Sequence, residues 1–364
     1  MRRDARPGSR PPGWLVKQIA PAALATLANE LARTHDVFAP RDAGGRLVLD
    51  RMASAGSGRP PWNTYRLPEP LKSIWFQPGC ILARWPPRES PPPSRPCALF
   101  GAKACDLKAV ACLDRVLRDH EFKDPGWCAA RESTLVVAGD CTDCAESCFC
   151  SMLGDLPYPT GLFDLCLSPA EGGYLVETGS ERGERLVADH AGLFSDAAPE
   201  SVERRADARA ELAARVRRQN ERFPVRDPFE KSVSKHDRTR IWAELAATCV
   251  ECNACNMVCP TCHCFLLHDV RAGDAALRLG LWDSCFSAGH ARMAGGLTPR
   301  LQLTERFRNH YQHKFVAFPR NWGITACSGC GRCIEACMGR IDKRECLHKL
   351  ETRWIPSEVA QEID

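Results

Sequence analysis

Short apolar runs separated by amphipathic stretches fill the first half of the chain. Residues 14–35 predict a short strand and then an Ala/Leu-rich helix beginning at Pro21, since proline suits the first turn of a helix. Residues 37–40 and 46–50 flank Gly44-Gly45 and predict a small hairpin.

Four further apolar runs predict buried strands, at residues 97–100, 135–138, 163–167 and 174–176. Residues 107–120 have helical spacing. Residues 200–222 predict a long helix whose many charges are expected to face solvent. Strands that alternate with helices indicate an α/β-type domain over residues 14–223.

The pattern changes after residue 223. Residues 224–237 carry two prolines and many charges and predict a linker, whereas residues 238–350 predict a mainly helical domain with one helix near 300–313. Residues 1–13 are expected to be frayed, 86–96 to form a polyproline-like loop and 351–364 to form a tail. The predicted fold class is therefore α+β.

Composition excludes several classes of function. A net charge of +4 over 364 residues is mild, and no basic stretch is interleaved with stacking aromatic residues, so no nucleic-acid partner is expected. No apolar run approaches the roughly 18 residues that cross a bilayer, and the basic N-terminus lacks the apolar core of a signal peptide. We therefore expect a cytoplasmic chain whose 22 cysteines serve metal or redox chemistry rather than disulfides.

Two cysteine runs share the spacing C-x2-C-x2-C-x3-C, the ferredoxin pattern for a four-iron, four-sulfur cluster. The first run is Cys249, Cys252, Cys255 and Cys259, and the second is Cys327, Cys330, Cys333 and Cys337. Pro260 follows the first run, and Met338 takes that place after the second. Two copies of so specific a spacing predict two [4Fe-4S] clusters.

The fourth cysteine of each run is expected to serve the other cluster, as in two-cluster ferredoxins. One cluster would then use Cys249, Cys252, Cys255 and Cys337, and the other Cys327, Cys330, Cys333 and Cys259. Zinc is the alternative occupant, although zinc sites normally use paired C-x2-C knuckles. The 67 residues between the runs exceed the connection in a compact β-rich ferredoxin and favour an alpha-helical two-cluster module.

A second group of thiols follows the predicted strands of the first domain. Cys105 comes after the strand at 97–100, and Cys141, Cys148 and Cys150 come after the strand at 135–138, with Cys144 as a spare. Parallel strands would bring these loops to one sheet edge, where α/β proteins bind ligands. The four thiols therefore predict a third cluster, and the alternative is a set of buried free cysteines.

The other cysteines are expected to be structural. Cys262, Cys264 and Cys285 are predicted to pack or hydrogen-bond around the clusters, while His263, His310 and His313 show no metal-ligand spacing. Neither a dinucleotide-binding G-x-G-x-x-G, a P-loop nor a nucleophile elbow is present, so no catalytic residue is assigned. Clusters without a substrate motif predict an electron relay.

Several motifs together resemble a known family. They are Gly101–Leu107 with Cys105-Asp106, Gly139–Thr142 with Cys148-Phe149-Cys150, Gly173–Glu177, Cys259–Cys262, Trp282–Cys285, Ala294–Gly296 and the second cysteine run. The chain resembles the iron–sulfur beta subunit of soluble NAD(P)-linked nickel–iron hydrogenases (sulfhydrogenases) and the related A subunit of anaerobic sulfite reductases. The family has Val-Arg-Pro more commonly at 102–104, a proline more usually at 144 and a proline in place of Met338.

That resemblance implies two kinds of partner, a flavin subunit that handles NAD(P)H and a catalytic subunit of the hydrogenase or sulfite reductase type. The chain would pass electrons between them without being an enzyme on its own. Two other hypotheses stay open at this point: a reductase with its own substrate site in the N-terminal domain, and an iron–sulfur redox sensor.

Overall fold

An eight-stranded sheet organises the first half of the protein. The computed structural model describes residues 16–52, 64–87, 95–237 and 239–353. The strand order is β3-β2-β5-β6-β7-β8-β1-β9, in which β2, β5, β6 and β7 run parallel and the remaining neighbours antiparallel. These strands are β1 (Val16–Ile19), β2 (Asp36–Asp42), β3 (Leu47–Arg51), β5 (Cys97–Ala102), β6 (Thr134–Gly139), β7 (Leu165–Ala170), β8 (Gly173–Thr178) and β9 (Phe194–Asp196).

Alternating side chains of the central strands supply two separate cores. Ala98 and Phe100 of β5 face one core, which includes Leu24 and Leu27, whereas Leu99 faces the other. This is the two-residue period of a strand buried on both faces. Helices therefore cover both sides: α1 (Pro21–Thr34) and α4 (Glu181–Asp189) on one, α2 (Ala104–Leu117), α3 (Pro125–Ser133) and a 3-10 turn at Leu71–Ile74 on the other.

The second half contains short helices around an aromatic core that includes Trp242, Phe307, Tyr311 and Phe315. The helices are α6 (Phe229–Ser234), α7 (Ile241–Leu245), α8 (Ala254–Met257), α9 (Leu303–Gln312), a π-helical segment at His313–Ala317, α10 (Phe318–Trp322), α11 (Arg332–Glu335) and α12 (Lys343–Thr352). The predicted α+β class is confirmed, and so is the helix predicted near 300–313.

One expectation for the second half was wrong. The residues between the cysteine runs do not form helices throughout, because β10 (Phe265–Ala272) and β11 (Ala275–Trp282) form a hairpin. Strand β11 pairs antiparallel with β4 (Gly79–Trp85), nearly two hundred residues earlier in the chain. This three-stranded sheet joins the two halves of the protein.

Helix α5 (Pro199–Asn220) lies partly buried between the halves. The expectation that its charges all face solvent was wrong. Arg205 is 4% exposed and pairs with Glu177 at 2.9 Å, and Arg209 pairs with Asp140 at 2.7 Å.

Residues 224–237, the predicted linker, contain helix α6, whose Val233 is fully buried in the aromatic core. Residues 1–13, most of the proline-rich loop and most of the tail lie outside the described ranges.

The two cysteine runs repeat one backbone conformation. Glu251 and Asn253 of the first run have φ values of 54° and 62°, and the equivalent Gly329 and Gly331 have 61° and 74°. Glycine is needed only in the second run, because the second run packs against the loop that carries Ser147 to Cys150. A Cβ on Gly331 would lie 2.3 Å from the Ser147 carbonyl oxygen.

We expect Gly331→Ala to destabilise the protein far more than Gly323→Ala. Both glycines have positive φ, at 74° and 69°, so both variants carry the left-handed penalty of about 1–2 kcal/mol. Only position 331 adds a clash with backbone, since a Cβ at 323 meets nothing within 4 Å. Anaerobic urea unfolding measures the difference, and equal losses of stability would contradict the tight packing of the second run.

Candidate functional site

The cysteines of the two runs line two neighbouring cavities in the second half. The first, which we term the outer cavity, has an empty volume of about 550 Å³ including its opening to solvent. Cys252 and Val250 lie exposed at this opening. The cysteines that line the outer cavity are Cys249, Cys252, Cys255, Cys333 and Cys337.

The second, or inner, cavity is lined by Cys255, Cys259, Cys327, Cys330 and Cys333. None of its lining residues is exposed, and Phe149 from the first half closes one side.

The fourth cysteine of each run lies with the other run. Cys337 follows the second run but lines the outer cavity, and Cys259 ends the first run but lines the inner cavity. Cys255 and Cys333 stand in the wall that both cavities share. Crossed ligation would need this placement, and it stays a prediction.

Burial raises the pKa values of several of these thiols. It raises the pKa of Cys255 to about 12, against the opposing charge of Lys343. It also raises the pKa values of Cys327 and Cys333. Cys259 differs: a hydrogen bond with Cys262, with help from Lys314 and Thr261, lowers its pKa well below the usual value. Metal coordination deprotonates a thiol, so such a set is suited to ligate iron.

Four buried lysines near the cysteines lack a carboxylate partner among the described residues. Lys314 donates to Thr261 Oγ1 at 2.9 Å and to Cys259 Sγ at 3.4 Å, and Lys343 lies 2.9 Å from His310 Nε2. Lys72 and Lys103 donate to the carbonyls of Cys262 and Asp140, each at 2.6 Å. A buried charge without a counter-charge costs several kcal/mol.

The thiols themselves are the natural counter-charge for these lysines. Burial lowers the pKa of Lys314, but the charge of the neighbouring Cys259 thiolate outweighs it and holds that pKa well above its usual value. The interior is therefore arranged for negative charge located at the cysteine sulfurs.

The N-terminal thiols converge at the carboxyl ends of two parallel strands. Cys105 lies in the first turn of α2 after β5, and Cys141, Cys148 and Cys150 follow the adjacent strand β6. Burial raises the pKa of Cys141 to about 12, and the neighbouring Cys148 contributes. Cys144, in the same loop, donates to Gln219 Oε1 at 3.3 Å.

This N-terminal group lies directly against the second run. The Phe149 amide donates to the Gly329 carbonyl at 2.7 Å, and Cys148 Sγ lies 4.0 Å from the Cys330 carbonyl oxygen. Arg66 donates to the same Cys330 carbonyl at 2.7 Å. The twelve candidate cysteines therefore form three adjacent groups, in the order outer cavity, inner cavity and N-terminal loops.

Ion pairs tie the groups together. Arg332 of the second run forms a fully buried pair with Asp106 of α2, at 2.7 Å. Glu335 pairs with Arg66, and Glu251 pairs with Arg306, each at 2.6 Å. Sequence reasoning did not find these pairs, because their members lie far apart along the chain.

Three further residues line the cavities without a sequence motif. His310 and Lys343 line both cavities, and Lys314 lines the inner one. Lys314 lies in the π-helical segment, between His313 and the apolar Phe315-Val316, and such segments often occur at functional sites. In the sequence, the available sign of Lys314 as a site residue was its position within an apolar run. Cys262 and Cys285 hydrogen-bond with Asn256 beside the cavities, in line with the packing predicted for them.

Comparison with known proteins places the chain in a family. Residues 248–341 match the family model of the 4Fe-4S dicluster domain. Over 254 residues the chain is 31% identical to sulfhydrogenase 2 subunit beta of Pyrococcus furiosus, an alignment that covers 69% of this chain and 73% of that relative. The chain belongs to the sulfhydrogenase beta-subunit family. The family resemblance predicted from the motifs is thereby confirmed. Among the described helices none is both long and apolar enough to span a bilayer.

The residues present suit the iron–sulfur clusters that this family match indicates. Zinc sites normally use paired C-x2-C knuckles, whereas these cysteines stand in two C-x2-C-x2-C-x3-C series. Thiolate donors and uncompensated buried ammonium groups both favour a larger anionic group.

Breaking the Arg332–Asp106 pair should destabilise the protein strongly. We expect Arg332→Met to cost about 3–5 kcal/mol, because it leaves a buried carboxylate without its partner. The double variant Arg332→Met/Asp106→Leu should recover much of that loss. The control Arg353→Met removes a half-exposed pair with Glu244 and should cost under about 1 kcal/mol. Anaerobic urea unfolding measures all three, and equal costs for the two single variants would exclude a structural role for the buried pair.

Proposed function

We propose that this protein is the electron-transfer subunit of a cytoplasmic oxidoreductase complex. It relays electrons between a flavin subunit that handles NAD(P)H and a catalytic subunit of the hydrogenase or sulfite reductase type, and it is not an enzyme on its own. The observation that carries the proposal is the pair of thiol-lined cavities with a shared wall. The relative's name, sulfhydrogenase 2 subunit beta, supports partner subunits. A reducing compartment would keep the 22 cysteines available as ligands.

In this proposal each cavity holds one [4Fe-4S] cluster. Cys249, Cys252, Cys255 and Cys337 ligate the outer cluster, and Cys259, Cys327, Cys330 and Cys333 ligate the inner one. When bound, a cluster takes up and releases one electron at a time. The chain's own residues hold the thiolates in place, exclude water from the inner cavity and surround it with positive charge.

The N-terminal thiols are proposed to hold a third cluster. Cys105, Cys141, Cys148 and Cys150 are its ligands, and their loops are hydrogen-bonded to the second run through Phe149 and Gly329. Lys103, which is 1% exposed, supplies a buried positive charge beside Cys141. A third cluster here would extend the relay from the inner cavity into the α/β half.

Crossed ligation has a spectroscopic consequence. We expect Cys259→Ser to alter the same electron paramagnetic resonance signal as Cys327→Ser, because both thiols line the inner cavity. Cys337→Ser should alter the signal that Cys252→Ser alters. The measurement uses anaerobically purified, reduced protein. If Cys259→Ser altered the same signal as Cys252→Ser, crossed ligation would be excluded. Zinc in place of iron would exclude the relay.

Iron content separates two clusters from three. Two clusters predict about 8 irons per chain and three predict about 12, from four irons in each. Cys141→Ala should lower the iron content by about 4, since it removes a proposed ligand. The matched control Cys144→Ala, in the same loop but hydrogen-bonded to Gln219, should leave iron unchanged. About 8 irons in both wild type and Cys141→Ala would exclude the third cluster.

A further inference from the structure

The two cavities differ in how they can stabilise added negative charge. A cluster becomes more negative when it is reduced, so its surroundings must supply water, dipoles or positive charge to make reduction favourable. The outer cavity opens to solvent beside the exposed Cys252. None of the residues that line the inner cavity is exposed. Water can therefore serve the outer site, and the inner site needs another source.

Lys314 is placed to be that source. Its side chain is 3% exposed and its ammonium lies 3.4 Å from Cys259 Sγ. The ammonium also donates to Thr261 Oγ1 at 2.9 Å and to the Ala326 carbonyl at 3.1 Å, which fixes its position. Among the described residues no carboxylate pairs with it, so its full charge acts on the thiolate side of the cavity.

The other charges near the cavities do not give the same selectivity. Lys343 lines both cavities and should act on both. Arg306, beside the outer cavity, is paired with Glu251 at 2.6 Å. Lys72 lies on the inner side, but it donates to the Cys262 carbonyl and not to a proposed ligand thiol. Of these cations, Lys314 is thus the one that lacks a carboxylate partner and contacts a thiol that lines only the inner cavity.

We propose that Lys314 is a positioning residue that keeps the enclosed inner cluster reducible, in the place that solvent takes at the outer cluster. The inference rests on the proposed relay function. It predicts that Lys314 raises the reduction potential of the inner cluster selectively. Lys72 assists from a greater distance, and Lys343 raises both potentials.

The test is a redox titration of the full-length, anaerobically purified chain followed by electron paramagnetic resonance. Signals are assigned to the inner and outer clusters with Cys327→Ser and Cys252→Ser. Lys314→Met should shift the inner potential downward by clearly more than the outer one. Lys314→Arg, which keeps the charge, should restore most of the shift, and Lys343→Met should lower both potentials. The control Lys349→Met removes a lysine paired with Glu345 on α12 and should change neither.

Several outcomes would overturn the inference. Unchanged potentials in Lys314→Met would show that Lys314 only fills space. Equal shifts at both clusters would show that its charge does not act selectively on the inner cluster. If Lys314→Met loses inner-cluster iron, Lys72→Met becomes the deciding variant, because that change leaves every contact with a ligand thiol in place. In Lys72→Met the potential of the inner cluster should fall by a smaller amount than is expected for Lys314→Met. An unchanged potential would refute the inference. A wild-type chain without two iron–sulfur signals would instead refute the relay itself.

Discussion

The structure depends on the balance between buried thiols and buried ammonium groups. Cysteine sulfurs line two cavities, and beside them Lys314 and Lys343 are buried without a carboxylate partner among the described residues. Neither the buried thiolates nor the buried ammonium groups are stable alone, because an isolated charge in the interior costs several kcal/mol. Burial accordingly raises the pKa values of Cys255, Cys327 and Cys333, while the Cys259 thiolate holds the pKa of Lys314 well above its usual value. Such an interior requires an anionic, thiolate-bound group to balance its positive charge. Folding and cofactor binding are therefore coupled.

The same requirement explains why the α/β half and the helical half are joined where they are. The second cysteine run packs its backbone on the loop from Ser147 to Cys150 so closely that only glycine fits at 329 and 331. The buried pair between Arg332 and Asp106 and the β4–β11 pairing secure the same junction. A relay tolerates little variation in spacing between its stations. Backbone contact, in contrast to a flexible linker, fixes the distance between the N-terminal thiols and the inner cavity.

Local patterns predicted much of the protein, and non-local contacts account for the rest. Continuous apolar runs were sufficient to predict β5 and β6, because both faces of these strands are buried. The spacing of the cysteine runs identified all the thiols that line the cavities. The hairpin at 265–282 escaped because its partner strand β4 lies far away in the chain. The burial of Arg205, Lys314 and Arg332 was not predicted for a similar reason. Whether a charge is solvated or buried depends on residues that contact it only after folding.

The two cavities solve one electrostatic problem in two ways. Added electrons need stabilisation, and water is the most effective medium for it, but water also gives small oxidants access to the site. An opening beside Cys252 suits a station that must exchange electrons with something outside the chain. An enclosed cavity suits a station that passes electrons only within the chain, and there fixed cations must replace the solvent. The exposed cysteine at one cavity and the buried lysine at the other thus give the proposed relay one station near the surface and one in the interior.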